Sequence, residues 1–314
     1  MSAGMRVFRS IESIPDDFGP SAVTVGKFDG VHLGHRAVIG RLLAVARRDR
    51  LASAVVTFDR NPMRIVAPER CPEDLVSLEQ KLELLEETGI DAVLVLTFDK
   101  ALSQVPAAEF VERFLVSRLH AKTLLVGSDF RYGAKGAGDV ALLGELGRRD
   151  GFDVQLIDDV HVEGHDRVSS TEIRSLLAQG DVAEAGVLLG HAPVVRGTVV
   201  HGAQRGRELG FPTANLSPQC EGLIPADGVY AGWLIDAGVR HPAAISVGNN
   251  PTFQGVPQRQ VEAYVIGEDI DLYDHVVDVE FAERIRGMVA FSGIEPLIAQ
   301  MEEDVERASR LLAD

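Results

Sequence analysis

The sequence predicts an α/β domain built on a parallel sheet, followed by an antiparallel β domain, and three observations carry that reading. The chain has 314 residues, more than one hydrophobic core usually serves, so two domains are expected. Its first half alternates short apolar runs with amphipathic stretches, the signature of strands crossing over through helices. After about residue 186 the texture changes to short β-like runs broken by Gly, Pro and Asn, which suggests an antiparallel barrel or sandwich. The boundaries expected are 1–186 and 187–314.

In the first domain, Ala22–Val25, Ala54–Phe58, Ala92–Leu96, Thr123–Gly127 and Phe152–Ile157 read as strands buried on both faces. Between them, Leu33 to Arg48 carries Val38, Ile39, Leu42, Leu43 and Ala46 on one helical face. Leu78 to Thr88 begins at a Ser77-x-x-Gln80 capping box and stops at Gly89. Pro106 suits the first turn of a third helix running to about Leu119. Such a sheet places ligands at the carboxyl ends of its strands. Two short helices, Ser170 to Gln179 and Val182 to Leu189, are expected to connect the halves. In the second domain Val194–Val200, Gly228–Ile235, Ala243–Val247, Gln260–Ile266 and Val276–Phe281 read as strands, with an amphipathic helix from Ile294 to Leu312 closing the chain.

Composition narrows the function classes. Hydrophobic residues make up 46% and charged ones 25%, and no apolar run approaches the roughly 18 to 20 residues that span a bilayer. The first ten residues lack the apolar centre of a signal peptide, so a cytoplasmic protein without a membrane partner is expected. A net charge of −16 repels polyanions and argues against nucleic acid as the main partner, while leaving room for a local pocket that takes a nucleotide. Self-association stays open. Cys71 and Cys220 stand far apart without metal-ligand spacing, so both read as ordinary thiols.

The most informative segment is Gly26-Lys27-Phe28-Asp29-Gly30-Val31-His32-Leu33-Gly34-His35, where a strand hands over to a helix. Backbone N–H groups and the positive end of the helix dipole attract phosphate at such a place, and glycines let the backbone come close. His32 and His35, three apart, project from one side of the first turn. Val31 and Leu33 can take the core side, so packing gives no reason for two imidazoles. A second segment, Arg167-Val168-Ser169-Ser170-Thr171-Glu172-Ile173-Arg174, opens another helix. Ser169 and Glu172 make a capping box, which leaves Arg167 and Arg174 unexplained except as guanidiniums flanking a phosphate cradle. The stretches Phe58 to Pro62 and Gly127 to Gly133 follow two other strands, where Phe58, Phe130 or Tyr132 either fill core or stack on a flat ring.

The second domain supplies Gly210-Phe211-Pro212-Thr213-Ala214-Asn215-Leu216. Thr213 and Asn215, two apart in an extended segment, point the same way, and their oxygens suit a hard cation such as Mg²⁺ carried by a nucleotide. A turn capped by Thr213 is the plainer alternative.

The FDGVHLGH string with SSTEIR resembles the nucleotidylyltransferase superfamily, and PTAN resembles the flavokinase signature. Further matches are Gly228-Val229-Tyr230-Ala231, Gly248 to Phe253, Val261-Glu262-Ala263 and Asp271-Leu272-Tyr273. In this order they resemble the prokaryotic bifunctional riboflavin kinase/FMN adenylyltransferase (FAD synthetase) family. The resemblance implies a Rossmann-like adenylyltransferase domain and a six-stranded flavokinase barrel with a closing helix, acting on riboflavin, FMN and ATP with Mg²⁺. His32, His35 and Glu262 would be catalytic, Glu262 as base for the flavin hydroxyl. Gly26, Phe28, Asp29, Gly30, Gly34, Phe58, Asn61, Pro62 and Phe130 would line the first site, with Arg167, Ser170, Thr171 and Arg174 on the departing pyrophosphate. Gly210, Pro212, Thr213 and Asn215 would serve the second site, Thr213 and Asn215 on the metal. The chain departs from the family at Asn61, usually His; near Gly136, usually basic, where Lys135 can substitute; at Asp274, usually Gly; and at Gly287–Ala290, usually charged. Two other readings remain: an adenylyltransferase for another phosphorylated acceptor joined to a binding module, and a flavin-binding regulator without catalysis.

Overall fold

The computed structural model describes residues 4–157, 168–201, 210–248 and 259–313 and falls into two compact units, Met1–Val168 and Ser169–Asp314. Arg167 and the Asn249–Phe253 motif lie outside the described residues.

Burial on both faces of the sheet explains the first unit. Its strands β1 (Arg6–Phe8), β2 (Ser21–Val25), β3 (Ala52–Phe58), β4 (Ala92–Leu96), β5 (Ala121–Gly127) and β6 (Asp153–Ile157) form one parallel sheet in the order β1-β4-β3-β2-β5-β6. Val23 and Val56 pack on one face with Phe110, Leu115 and Leu143. Their neighbours Ala22 and Val55 pack on the other with Ile39, Leu42 and Leu85. Both faces are therefore dry, and β2 and β4 are buried along their whole length.

Two strands depart from expectation. Strand β6 is not buried on both faces: among the described residues it pairs with β5 alone, and Leu156 is 57% exposed. Strand β1 gave no periodic signal, being three residues long, yet it adds beside β4 with Arg6 opposite Ala92.

Helix α1 (Leu33–Asp49) buries Ile39, Leu42, Val45 and Ala46, so its apolar face is rotated from the expected one, with Val38 and Leu43 only half-buried. After the short helix α2 (Met63–Val66), α3 (Leu78–Glu86) starts at the expected capping box, Ser77 accepting from Gln80 N and Gln80 accepting from Ser77 N. The helix expected after Pro106 is not continuous. Pro106 is its N-cap, α4 (Ala107–Phe110) makes one turn, and Val111–Val116 then widens into a π turn that buries Val111, Phe114 and Leu115. Helix α5 (Val140–Asp150) is capped by Asp139 and ended by left-handed Gly151.

In the second unit α6 (Ser170–Gln179) and α7 (Val182–Leu189) match the expected spans, capped by Ser169 and Asp181 and ended by left-handed Gly180 and Gly190. Strands β7 (Val194–Val200), β8 (Ala214–Leu216), β9 (Gly228–Asp236), β10 (Val239–Gly248), β11 (Gln260–Val265) and β12 (Val276–Arg286) close into an antiparallel barrel in the order β10-β11-β8-β7-β12-β9. Two register shifts in the β9–β12 ladder, after Phe281 and after Arg284, supply the bend that closure needs. Gly232 permits the close approach of these strands, since a Cβ there would lie 2.0 Å from the Glu280 carbonyl oxygen. The C-terminal helix Ile294–Leu311 packs on β9, β10 and β12. Its Asp304, 5% exposed, accepts from the Arg286 guanidinium at 2.9 and 2.6 Å.

Candidate active sites

The order of the first sheet decides where its site lies. Strands β3, β2 and β5 are neighbours, and the crossovers leave β2 toward β3 on one side while β5 and β6 lie on the other. A crevice opens at such a switch point, outside the carboxyl ends of the strands. The loops that leave β2, β3 and β5 carry Gly26–His32, Asp59–Pro62 and Ser128–Gly133, the segments the sequence singled out.

Strain and packing shape the first loop. Phe28, Gly30 and Val31 all take left-handed backbone (φ 50°, 80° and 39°). Phe28 and Val31 are 2% and 0% exposed and lie in the core, so the loop is anchored from beneath by its apolar residues. His32 is the N-cap of α1, makes no side-chain cap bond, and is followed by a first turn without an acid. Its ring lies face to face with that of His35, centroids 3.7 Å apart and planes 23° from parallel. Gly34 gives that stack room, because a Cβ would come within 3.1 Å of the His32 ring and push it aside. Phe28 backs His35 at 5.0 Å. Burial, His32, Lys81 and Lys27, in that order, hold the His35 pKa well below the usual imidazole value.

Lys81 was not anticipated. On an amphipathic helix a lysine reads as a solvent-facing residue, yet this one is 8% exposed. Its ammonium donates to the Phe58 carbonyl at 2.8 Å and the Lys27 carbonyl at 3.3 Å. Burial lowers its pKa, while Asp29, Asp74 and Asp59 pull the other way. The Asp29 carboxylate accepts from Leu75 N at 2.8 Å.

Around this loop, Asn61 is buried and accepts from Met63 N at 3.1 Å, with Pro62 as N-cap of α2. Half-buried Phe58 meets Phe98 edge to face, and half-buried Phe130 stacks on Tyr132, the pairs 5.3 Å between centroids in each case. Both phenylalanines pack against the core below. Burial pushes the Tyr132 hydroxyl up to about 12. Gly133 and Lys135 take left-handed backbone, and Lys135 is exposed.

Ser170, Thr171 and Arg174 belong to the second unit. Ser169 accepts from Glu172 N at 3.2 Å, which leaves Ser170 half-buried, Thr171 exposed and Arg174 half-buried on the first turns of α6. The far end of this helix is fixed by Arg284, which donates to the Gln179 carbonyl and the Asp227 carbonyl, each at 2.8 Å.

The barrel brings together the three residues singled out in its sequence. Glu262 on β11 stands opposite Asn215 on β8. The Thr213 hydroxyl donates to Glu262 Oε2 at 3.4 Å, and Asn215 Nδ2 donates to the Thr213 carbonyl at 3.0 Å and hydroxyl oxygen at 3.2 Å. Spending the amide nitrogen this way frees the Asn215 carbonyl oxygen as an acceptor. The donor set of neutral oxygens beside a carboxylate fits Mg²⁺. Thr213 and Asn215 line a cleft of about 360 Å³ together with Pro212, Ala263, Asp271 and Tyr273 among others. Exposed Gly210 turns the chain into it with φ 89°. His201 stacks on Tyr273 at 3.9 Å, a contact that strand patterns do not disclose. Asp274 has φ 64°, which explains why glycine is usual there: the left-handed region suits glycine and tolerates aspartate. Gly287–Ala290, partly or fully exposed, follows Arg286, whose guanidinium bonds the Gly287 carbonyl at 3.0 Å.

A parallel α/β unit with a glycine- and histidine-bearing loop at its switch point, together with a barrel in which Glu262 meets Thr213 and Asn215, fits the class of two-domain phosphotransfer enzymes. The comparisons narrow this class. The family model for FAD synthetase matches residues 14–172 and that for riboflavin kinase residues 189–312. The chain belongs to the bifunctional riboflavin kinase/FMN adenylyltransferase (FAD synthetase) family. It is similar to the "Bifunctional riboflavin kinase/FMN adenylyltransferase" of Escherichia coli K12, 37% identical over 302 residues and 96% of each chain. The protein of the same description from Listeria monocytogenes is 36% identical over 90% of this chain and 89% of its own. That from Pseudomonas fluorescens is 35% identical over 98% of each. Among solved structures, one described as a macrolide-efflux protein from Streptococcus pneumoniae superposes with a TM-score of 0.85 at 29% identity, over 98% of this chain and 99% of its own. Among the described residues no helix is long and apolar enough to cross a membrane.

Proposed function

We propose that the chain makes FAD in two steps, phosphorylating riboflavin to FMN and adenylylating FMN, each with ATP. The observation that carries this reading is the match of both family models in tandem, over segments that contain the His32–His35 stack and the Thr213–Asn215–Glu262 cluster. We assign adenylylation to residues 1–186 and phosphorylation to 187–314, although α6 and α7 belong to the second compact unit.

In the first step the riboflavin 5′-hydroxyl attacks the γ-phosphorus of ATP. Its proton passes to the Glu262 carboxylate, the new O–P bond forms, and ADP leaves with the electrons of the broken P–O bond. Thr213 and Asn215 would hold Mg²⁺, which when bound neutralises charge on the phosphates. In the second step a phosphate oxygen of FMN attacks the α-phosphorus of ATP in line and pyrophosphate leaves. No covalent enzyme intermediate is needed, so catalysis is positioning and charge stabilisation. His32 and His35, with the α1 N-terminus, serve the ATP phosphates, aided by Gly26, Gly30 and Gly34. Ser170, Thr171 and Arg174 take the pyrophosphate, and Phe58, Asn61, Pro62 and Phe130 the flavin side. ATP consumption in both steps fits a cytoplasmic setting.

The test is direct: full-length protein with riboflavin, ATP and Mg²⁺, followed by chromatography. FMN appearing first and FAD after it is the expected result. FAD formed from supplied FMN but never from riboflavin would reduce the reading to an adenylyltransferase joined to a binding module, and no flavin turnover would overturn it.

A further inference from the structure

Lys81 is an expensive choice for a core position. Burying an ammonium is unfavourable, and a methionine of similar length would fill the same space without that penalty. What the lysine adds is a link between two loops. Its Nζ bonds the carbonyl of Lys27, at the start of the histidine-bearing loop, and the carbonyl of Phe58, at the end of β3. The Lys27 carbonyl receives a second bond, 3.0 Å from the Thr57 hydroxyl, and Thr57 is fully buried. The carbonyl and N–H of one planar trans peptide point in opposite directions. Holding the Lys27 carbonyl against Lys81 therefore turns the Phe28 N–H away from the core side. The same ammonium attracts Asp29 and Asp59, whose carboxylates accept backbone N–H bonds from Leu75 and Phe98. Two loops thus close on one cation, and Asp29 and Asp59 tie each of them to a further segment.

We propose that Lys81 is a positioning residue for adenylyl transfer: it locks the Lys27–Phe28 peptide against the end of β3, so that the loop meets the ATP phosphates in a single geometry. This rests on the reading of the first unit as an FMN adenylyltransferase. The Lys81 ammonium is turned to two backbone carbonyls, so it acts through the loop it holds. Its effect belongs to ATP, whereas the flavin phosphorylation site, on the barrel, is independent of it.

The experiment uses the full chain, with FAD formation and FMN formation measured side by side on Lys81→Met, Lys81→Arg and Thr57→Val. A loop displaced by a fraction of an ångström to an ångström costs about a hundredfold, so Lys81→Met is expected to lose about that in kcat/KM for ATP. Its KM for FMN and its riboflavin phosphorylation stay at wild-type values. Lys81→Arg, which keeps the charge and the donors, recovers most of the loss. Thr57→Val removes one neutral hydrogen bond to the same carbonyl and should cost about fivefold in the same parameter, which keeps the proposal testable if Lys81→Met does not fold. Wild-type ATP kinetics in Lys81→Met, or in Thr57→Val where Lys81→Met is unfolded, would overturn it, as would equal losses in both activities. A wild-type protein that forms no FAD from FMN would overturn the underlying reading as well, whereas FAD formation unaltered by these substitutions would overturn the positioning role alone.

Discussion

The imidazoles of His32 and His35 lie in a face-to-face stack, 3.7 Å between centroids, at the entry to α1. Two rings this close resist being charged together, and burial with His32 beside it holds the His35 pKa well below the usual imidazole value. Replacing His35 by Ala removes a donor preorganised for phosphate charge and should lower FAD formation by about a hundredfold. FMN formation, served by the barrel, should stay unchanged. Chromatographic rates of both products from one preparation check this, and equal loss of the two would refute the assignment of separate sites.

The same ring makes the first unit sensitive to acid. In the unfolded chain His35 titrates near the ordinary value of about 6.5, and folding depresses it through burial and through His32, Lys81 and Lys27. Between the two values the unfolded state binds more protons, so stability rises with pH and is lost as pH falls through about 6.5 toward the folded value. Urea midpoints for the transition of the first unit, taken from about pH 5 to about pH 8, should show this fall, and His35→Gln should flatten it. An identical slope in the variant would show that other groups carry the effect.

In the barrel, Glu262 stands within reach of the Thr213 hydroxyl and opposite Asn215. We propose Glu262 as the base for a primary hydroxyl, and its replacement by Gln keeps shape while removing that proton acceptor. Riboflavin phosphorylation should fall by about a hundredfold or more, with adenylylation of supplied FMN unaffected. A loss confined to KM for ATP, with kcat intact, would instead make Glu262 a binding residue.

Much of this was legible in the sequence, and the reasons for the rest are physical. Continuous apolar runs marked β2 to β5 because both of their faces are buried, and the capping box at Ser77 marked the start of α3. The histidine pair was visible because nothing in helix packing asks for it. Strands β1 and β8, three residues each, are too short to show a period and exist through their neighbours. The same period-2 runs allow sandwich or barrel, and closure depends on the bulged β9–β12 ladder, which no local pattern encodes. Lys81 was hidden for the opposite reason: its spacing on α3 is ordinary, and only the loops folded over it make it a buried cation.

Arg286 and Asp304 join the end of β12 to the C-terminal helix through a charged pair with 20% and 6% side-chain exposure. Each partner compensates the other's desolvation, so the pair contributes little over an apolar replacement, while either charge alone is costly. Asp304→Ala should therefore destabilise the barrel unit by about 3 kcal/mol, the lower end of the usual range because the guanidinium retains some solvent. Changing Arg286→Met and Asp304→Leu together should return stability to within about 1 kcal/mol of wild type. Riboflavin phosphorylation in the double variant then separates two roles for Arg286. Wild-type turnover would make it a helix anchor only, and slow turnover at full stability would mean that the Gly287–Ala290 segment it bonds must be held for the reaction. Denaturant unfolding of the single and double variants is the deciding measurement, and additive losses would exclude the compensation argued here.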